Sequence, residues 1–241
     1  MAFHFLQDIK SKFIYYNHPY IRIPIFPPDK LPIMTEDTIS FDLFHPQPLL
    51  IVISGPTAVG KDAVIKLMLE RKLELHFVVT STTRPKRGNE VEGVDYFFVS
   101  MDRFQQMIDR NELLEYSWVY NAYKGIPRQQ IENALASGID VIMRIDVQGA
   151  SKIRQIYPEC MQIFLIPKDQ KELRDRIVNR KSESEEEILQ RLTRAGEELK
   201  CLPLFDYIVV NENDHLNYTV DTIWSIIVAE HHRVVPRKIN L

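Results

Sequence analysis

Leu49-Leu-Ile-Val-Ile-Ser-Gly55-Pro-Thr-Ala-Val-Gly60-Lys61-Asp62-Ala-Val-Ile-Lys-Leu67 reads as a buried strand, a tight turn and the start of an amphipathic helix. Gly55 and Gly60 enclose Pro56, Thr57, Ala58 and Val59, and Lys61 follows. That spacing fits the G-x-x-x-x-G-K loop, whose backbone N–H groups wrap the phosphates of a nucleotide. Val64, Ile65, Leu67, Met68 and Leu69 form a helical stripe that lays the helix on a sheet. Its N-terminus then points at the turn and adds the positive end of the helix dipole, favouring a di- or triphosphate at Gly55 to Lys61. Glycines used for sterics alone would also make a strand-turn-helix connection, but a Lys directly after the second Gly favours phosphate. Asp62 breaks the pattern, because a Ser or Thr normally offers a hydroxyl to magnesium there.

Around this loop the totals are ordinary. A chain of 241 residues can bury one substantial core, and alternating strand and helix patterns after Leu49 predict one α/β domain. A net charge of −3 excludes a global attraction to nucleic acid or anionic membrane, so anion binding must come from local clusters. Cys160 and Cys201 fit neither a metal-ligand spacing nor a disulfide framework, which favours a reducing compartment. The longest apolar windows fall far short of the roughly 20 residues of a membrane span, so a soluble protein is expected. Residues 1–48 hold seven of the fourteen prolines and none of the eight glycines, and read as an N-terminal extension. Asp8, Asp29, Glu36, Asp37 and Asp42 make this stretch unlike an organelle transit peptide, and a cytoplasmic protein is expected. Met34 before Thr35-Glu-Asp-Thr is a candidate translation start.

Further along, Phe77 to Thr80 reads as a strand, followed by the hydroxyl-rich, basic Ser81-Thr-Thr-Arg84-Pro-Lys-Arg87-Gly. Pro85 and Gly88 keep that loop non-helical, and two arginines three apart could grip a phosphate monoester with bidentate hydrogen bonds. A solvated basic loop fits the bare pattern equally well. Glu92 to Val99 contains Tyr96, Asp102 to Arg110 reads as a helix, and Glu112 to Val119 reads as a strand. Within that strand Glu115 either faces solvent or accepts hydrogen bonds from the N–H edge of a purine. Ala122 to Pro127 reads as a turn into a helix over Arg128 to Ala136. Asp140 to Gly149 reads as a second buried strand that brings Asp146 to the ligand side of an open sheet. Met161 to Ile166 is a further strand stopped by Pro167. Lys171 to Lys200 is charge-dense and helical: a solvated hairpin held by i,i+4 pairs, or a lid whose arginines swing onto transferring phosphates. Asp206 to Asn211 closes the sheet, and a helix over Asn213 to His231 packs it.

Together these segments resemble a guanylate kinase from about Pro48 to Ala229: the loop, the Thr-Thr-Arg segment, Asp-Tyr-Phe-Phe-Val, Leu-Leu-Glu-Tyr, Ile-Asp-Val-Gln-Gly, the charged hairpin and Tyr-Ile-Val-Val-Asn occur in family order. The resemblance implies a P-loop nucleoside monophosphate kinase fold, with a parallel five-stranded sheet, a GMP-binding insert at 80–128 and a helical lid at 169–200. The core would comprise 49–79, 129–168 and 201–232, with 233–241 as a tail. It implies transfer of the ATP γ-phosphoryl to GMP with magnesium, with ATP and GMP as the partners of a monomer or dimer.

Position by position, the resemblance assigns Gly55 to Lys61 to the ATP phosphates and Asn211 to the adenine region. Thr80, Arg84, Arg87 and Tyr96 go to the GMP phosphate, with Lys124 near it; Glu115 goes to the guanine, with Asp146 on the GMP side. Lys61, Arg176, Arg180 and Arg191 are the charge-stabilising groups, and Asp62 is expected at the metal, directly or through water. The sequence departs from the family pattern at Asp62, at Ala58 for a common Gly, at Lys124 for a Tyr, at Ile126 for a base-reading Ser or Thr, and at Arg144 for an Asp. This set looks like the organelle-type branch, also represented in bacteria. Asp62 and Arg144 change charge in opposite senses, which predicts that they face each other. A silent protein-binding module of the same fold, and a same-fold kinase for another acceptor, remain the alternatives.

Overall fold

A computed structural model describes residues 44–88, 90–119, 121–178 and 185–240. Arg180, Met34 and most of the N-terminal extension lie outside the described residues. All five residues of β1 (Leu50–Ser54) are buried, because the strand sits at the centre of a sheet covered on both faces. β2 (Leu75–Phe77), β7 (Asp140–Arg144), β8 (Met161–Ile166) and β9 (Tyr207–Val210) complete it in the order β2-β7-β1-β8-β9, and every pairing is parallel. One face is closed by α1 (Lys61–Glu70) and α7 (Leu216–His231), which bury Val64, Ile65, Met68, Val220, Ile223 and Ile227. The other is closed by α3 (Arg128–Ala136) and α4 (Val147–Ile156), through Ile131, Leu135, Ala150 and Ile153. Fully burying an aliphatic side chain of this kind contributes about 1.5–3 kcal/mol, so this two-sided core is the platform on which the loops at the strand ends are fixed.

A second, four-stranded sheet runs β4-β3-β6-β5, from β3 (Ser81–Thr82), β4 (Phe97–Phe98), β5 (Leu113–Val119) and β6 (Ala122–Pro127). α2 (Met101–Asp109) covers it with Phe104 and Met107, and Ser100 caps this helix by accepting from the Arg103 N–H at 3.1 Å. The strand expected over Phe77 to Thr80 instead begins at Leu75 and ends at Phe77, although the Val78 N–H still donates to the Ile142 carbonyl at 2.9 Å. Ala122 to Pro127, expected to be a turn, is β6, paired antiparallel with β5. Gly125 serves packing there: a Cβ would lie 2.8 Å from Leu113 and 2.9 Å from Phe104. Pro127 stands at the strand end and enters α3, where its missing N–H is harmless.

α5 (Gln170–Val178) and α6 (Glu185–Leu199) pack through Leu173, Ile177 and Ala195, with Ala58 of the loop against the same cluster. Residues past α7 return to the core: Arg237 donates to Glu230 at 2.7 Å and lies 3.6 Å from Asp206. Cys160 and Cys201 are free thiols. Among the described residues no helix is long and apolar enough to cross a membrane.

Candidate active site

The turn between β1 and α1 is built on two close approaches. Gly55 has φ 140°, and a Cβ there would lie 2.3 Å from the Leu165 carbonyl oxygen. Gly60 has φ 98°, and a Cβ there would meet the Asn211 amide nitrogen at 2.4 Å. Ala58 adopts φ 62°, a left-handed conformation costing an L-residue about 1–2 kcal/mol, which accounts for the preference for Gly at this position. The Lys61 ammonium folds back onto the carbonyls of Gly55 at 2.6 Å and Pro56 at 3.0 Å. Burial pulls its pKa down to about 8 against the opposing fields of Glu198, Asp62 and Asp146.

This loop opens into a cleft of about 380 Å³ that reaches across to the second sheet. Thr57 to Asp62 line one end; Thr80, Arg84, Arg87, Tyr96, Glu115 and Lys124 line the other, with Asp146 and Arg191 between. Arg84, Lys124 and Arg144 surround the Tyr96 ring at 4.9, 5.8 and 5.0 Å from its centroid. An overall acidic chain therefore concentrates cations where an anion would enter. The expected pairing of Asp62 with Arg144 is present as a direct hydrogen bond. Arg144 is only 8 % exposed at its side chain and Asp62 is 71 % exposed.

Residues 85–88 of the basic loop are exposed, but the Arg84 side chain is tied down. Arg84 makes a two-point contact with Glu90, whose carboxylate also accepts from the Arg87 N–H at 2.8 Å. Hydrogen bonding to Arg84 holds the Glu90 carboxyl below its usual range. Glu115 is not solvent-facing: it is buried, and burial pushes its pKa up. Lys152 of α4 donates to its Oε2 at 3.0 Å. Asp146 does not extend β7; its carboxylate caps α4, accepting from the N–H groups of Gln148 and Gly149 at 3.0 and 2.9 Å.

Asn211 and Arg176 rest against the phosphate loop. The Asn211 carboxamide is buried beneath the loop, donating to the Val59 carbonyl at 2.8 Å and accepting from the Thr219 hydroxyl at 3.1 Å. Arg176 donates to the carbonyls of Val59 and Asn211, both at 2.7 Å, and to Glu172 at 2.9 Å. Both clamp the back of the phosphate loop and neither lines the cleft. Glu198 of α6 does line it, and accepts from the Thr57 N–H at 2.8 Å.

Glu90, Lys152 and Glu198 were not legible as site residues. Only Lys152 left a signal, in the Asp146, Gly149, Lys152 spacing that puts three residues on one face of a helix.

The family model for guanylate kinase matches residues 47–230. The chain belongs to the guanylate kinase family. It is 47 % identical over 197 residues to guanylate kinase 2, chloroplastic/mitochondrial, of Oryza sativa subsp. japonica, covering 81 % of this chain and 69 % of that one. The guanylate kinase of Oceanobacillus iheyensis is 42 % identical over 183 residues, covering 76 % and 88 % of the two chains. Among solved structures, guanylate kinase from Anaplasma phagocytophilum superposes with a TM-score of 0.65 at 29 % identity, over 78 % of this chain and 88 % of that chain. The guanylate kinase fold thus extends from β1 through α7, and both sheets belong to it.

Proposed function

We infer that this chain is an ATP:GMP phosphotransferase, moving the γ-phosphoryl of ATP to GMP and giving ADP and GDP. The observation that carries this is one continuous cleft with a phosphate-loop lysine at one end and a buried carboxylate at the other, cationic side chains lying between them. The first end suits a triphosphate, the arginine pair a phosphate monoester, and the carboxylate a base edge that donates hydrogen bonds. Membership of the family supports the same reading.

In this reading Lys61 leaves the carbonyls of Gly55 and Pro56 to follow the transferring group, Glu198 gives up the Thr57 N–H, and the N–H groups from Thr57 to Lys61 hold the ATP phosphates. Arg84, Arg87, Thr80, Tyr96 and Lys124 fix the GMP phosphate in line, with the Arg84 guanidinium and the Arg87 backbone set by Glu90 before substrate arrives. Arg191, on α6, and Arg180 counter the negative charge carried by the oxygens of the transferring phosphoryl. No covalent intermediate forms; catalysis is positioning and electrostatic stabilisation. Arg176 and Asn211 act beneath the loop, keeping Val59 in place. We assign residues 80–128 to GMP binding and 169–200 to a lid. The five acidic residues among the first 48 favour a cytoplasmic protein.

Magnesium fits the donor set. It is usually held by one or two carboxylates plus substrate phosphates and waters, and Asp62 supplies one such oxygen at the cleft with Arg144 engaging the other. When bound, the ion neutralises charge on the β- and γ-phosphates. Ile126 is buried in the apolar core and offers no hydroxyl to the base, so guanine selection falls on Glu115.

ADP release should be measured with GMP, dGMP, AMP, IMP and UMP as acceptors, using wild type and Glu115→Gln. GMP should be preferred, and the variant should lose about one to two decades of kcat/KM for it, as expected for a charged hydrogen bond. Equal use of AMP, or an unchanged kcat/KM for GMP, would overturn the assignment of Glu115.

A further inference from the structure

We propose that Lys152 is a specificity-positioning residue: its ammonium fixes one oxygen of Glu115, so that the other stays turned to the cleft as an acceptor for the N–H edge of guanine. This rests on the reading of Glu115 as the base-reading group.

Lys152 lies on α4, in the second turn after the Asp146 cap. Its Nζ is 3.0 Å from Glu115 Oε2, and it also donates to the Tyr116 carbonyl, with the Tyr116 ring centroid at 5.9 Å. Three contacts converge on a single flexible side chain and define the position of its charge. The other carboxylate oxygen, Oε1, has the Ser117 hydroxyl at 3.5 Å. Both residues line the cleft. α4 approaches this oxygen closely because residue 149 is Gly: a Cβ there would lie 3.0 Å from Oε1. The bare Gly149 backbone thus leaves room for Oε1 beside α4, on a residue that lines the cleft.

The charges facing Glu115 decide what Lys152 does. From α4 come Lys152, which favours the ionised form, and Asp146 at the cap, which opposes it. From β6 comes Lys124, directly across from Ser117 in the strand pairing, and Glu115's own strand adds the Ser117 hydroxyl. Burial favours the neutral acid, so without Lys152 the carboxyl takes up a proton as the pH falls. A protonated carboxyl donates where guanine also donates, at N1 and at its exocyclic amine. The pair therefore serves base selection, while phosphoryl transfer proceeds through other groups.

The test is the pH profile of KM for GMP, with ATP and magnesium saturating, for wild type, Lys152→Met, Lys152→Gln, Lys152→Arg and Glu115→Gln. In the Met and Gln variants KM for GMP should rise about tenfold more than in wild type as the pH is lowered, the equivalent of losing one charged hydrogen bond. Their kcat and KM for ATP should hold, the preference for GMP over IMP should shrink, and Arg should restore the wild-type profile. Thermal melting of each variant at both ends of the pH range accompanies the profiles, since removing Lys152 leaves the buried Glu115 carboxylate without its ion-pair partner. Wild-type profiles in both uncharged variants, beside a crippled Glu115→Gln, would overturn the role of Lys152 alone. A Glu115→Gln enzyme with unchanged KM for GMP would overturn the base-reading assignment and this inference with it. A pH-independent loss of kcat and of ATP affinity in the Lys152 variants would mark a purely structural residue and also overturn it.

Discussion

Arg144, the last residue of β7, donates to a carboxylate oxygen of Asp62, the second residue of α1, at the point where the cleft meets the phosphate loop. The Arg144 guanidinium is held over the rings of Tyr96 and Phe77, 5.0 and 5.7 Å from their centroids, so its position is set before Asp62 reaches it. The unusual acid in the loop is therefore one half of a pair that keeps the local charge balanced.

Breaking that pair should be costly and repairing it should not. Asp62→Ala and Arg144→Ala are each expected to lower kcat by about ten- to a hundredfold, with a coupling of about 1–3 kcal/mol between them. Asp62→Ser with Arg144→Asp, which exchanges the pair for the residues usual elsewhere in the family, should regain activity that either single change loses. Steady-state kinetics of the four-member cycle, with magnesium titrated, checks this. Strict additivity would mean that the two residues act separately.

Lys61 should take up a proton when ATP binds. In the free protein burial holds its pKa at about 8, so at pH 8 about half of the chains carry it neutral, and a polyphosphate beside it restores the charged form. Calorimetry of ATP binding in buffers of different ionisation enthalpy should show uptake of about half a proton at pH 8 and almost none at pH 6. Lys61→Met should abolish the difference.

The first half of this site was legible because local chemistry specifies it. A strand buried on both faces, a glycine-bounded turn and a following Lys need no distant partner to be read, and the opposite charges of Asp62 and Arg144 suggested their own pairing. Misreadings arose where a residue answers to packing. Gly125 and Pro127 look like breakers, yet Gly125 is there because Leu113 and Phe104 leave no room for a Cβ. Asp146 looked like a strand end because the apolar run of β7 continues through Ile145 and Val147, although its carboxylate caps α4. Lys152, Glu198 and Arg176 meet partners 37, 141 and 117 positions away, two of them backbone groups, and backbone carries no residue-type signal.

Ala58 joins the loop to α5 and α6. Its left-handed φ of 62° costs about 1–2 kcal/mol, while its methyl packs against the cluster of Leu173, Ile177 and Ala195. Ala58→Gly removes both effects, so overall stability should change by no more than about 1 kcal/mol. Hydrogen exchange in α6 should nevertheless quicken. Unchanged exchange there would show that the methyl does not hold α6.

The C-terminal segment should confer acid-sensitive stability. Burial pushes the Glu230 carboxyl up, but hydrogen bonds from Arg237, Tyr207 and Arg233 outweigh it and hold the pKa at about 2, against 4.5 when unfolded. A depressed carboxylate contributes stability that is complete above the unfolded value and is lost as the pH falls toward 2. Arg237→Ala leaves Glu230 short of a buried partner and should cost about 3 kcal/mol at neutral pH, with a smaller penalty in acid. Urea denaturation at pH 7 and pH 3 measures both values.

This cleft moves a phosphoryl group from ATP to GMP. Phosphorus NMR of the full chain with ATP, magnesium and GMP tests it most directly. The γ-phosphorus signal of ATP should decay in step with the growth of the β-phosphorus signal of GDP, and Lys61→Ala should stop both. ATP left intact beside GMP, or consumed only to inorganic phosphate, would contradict it.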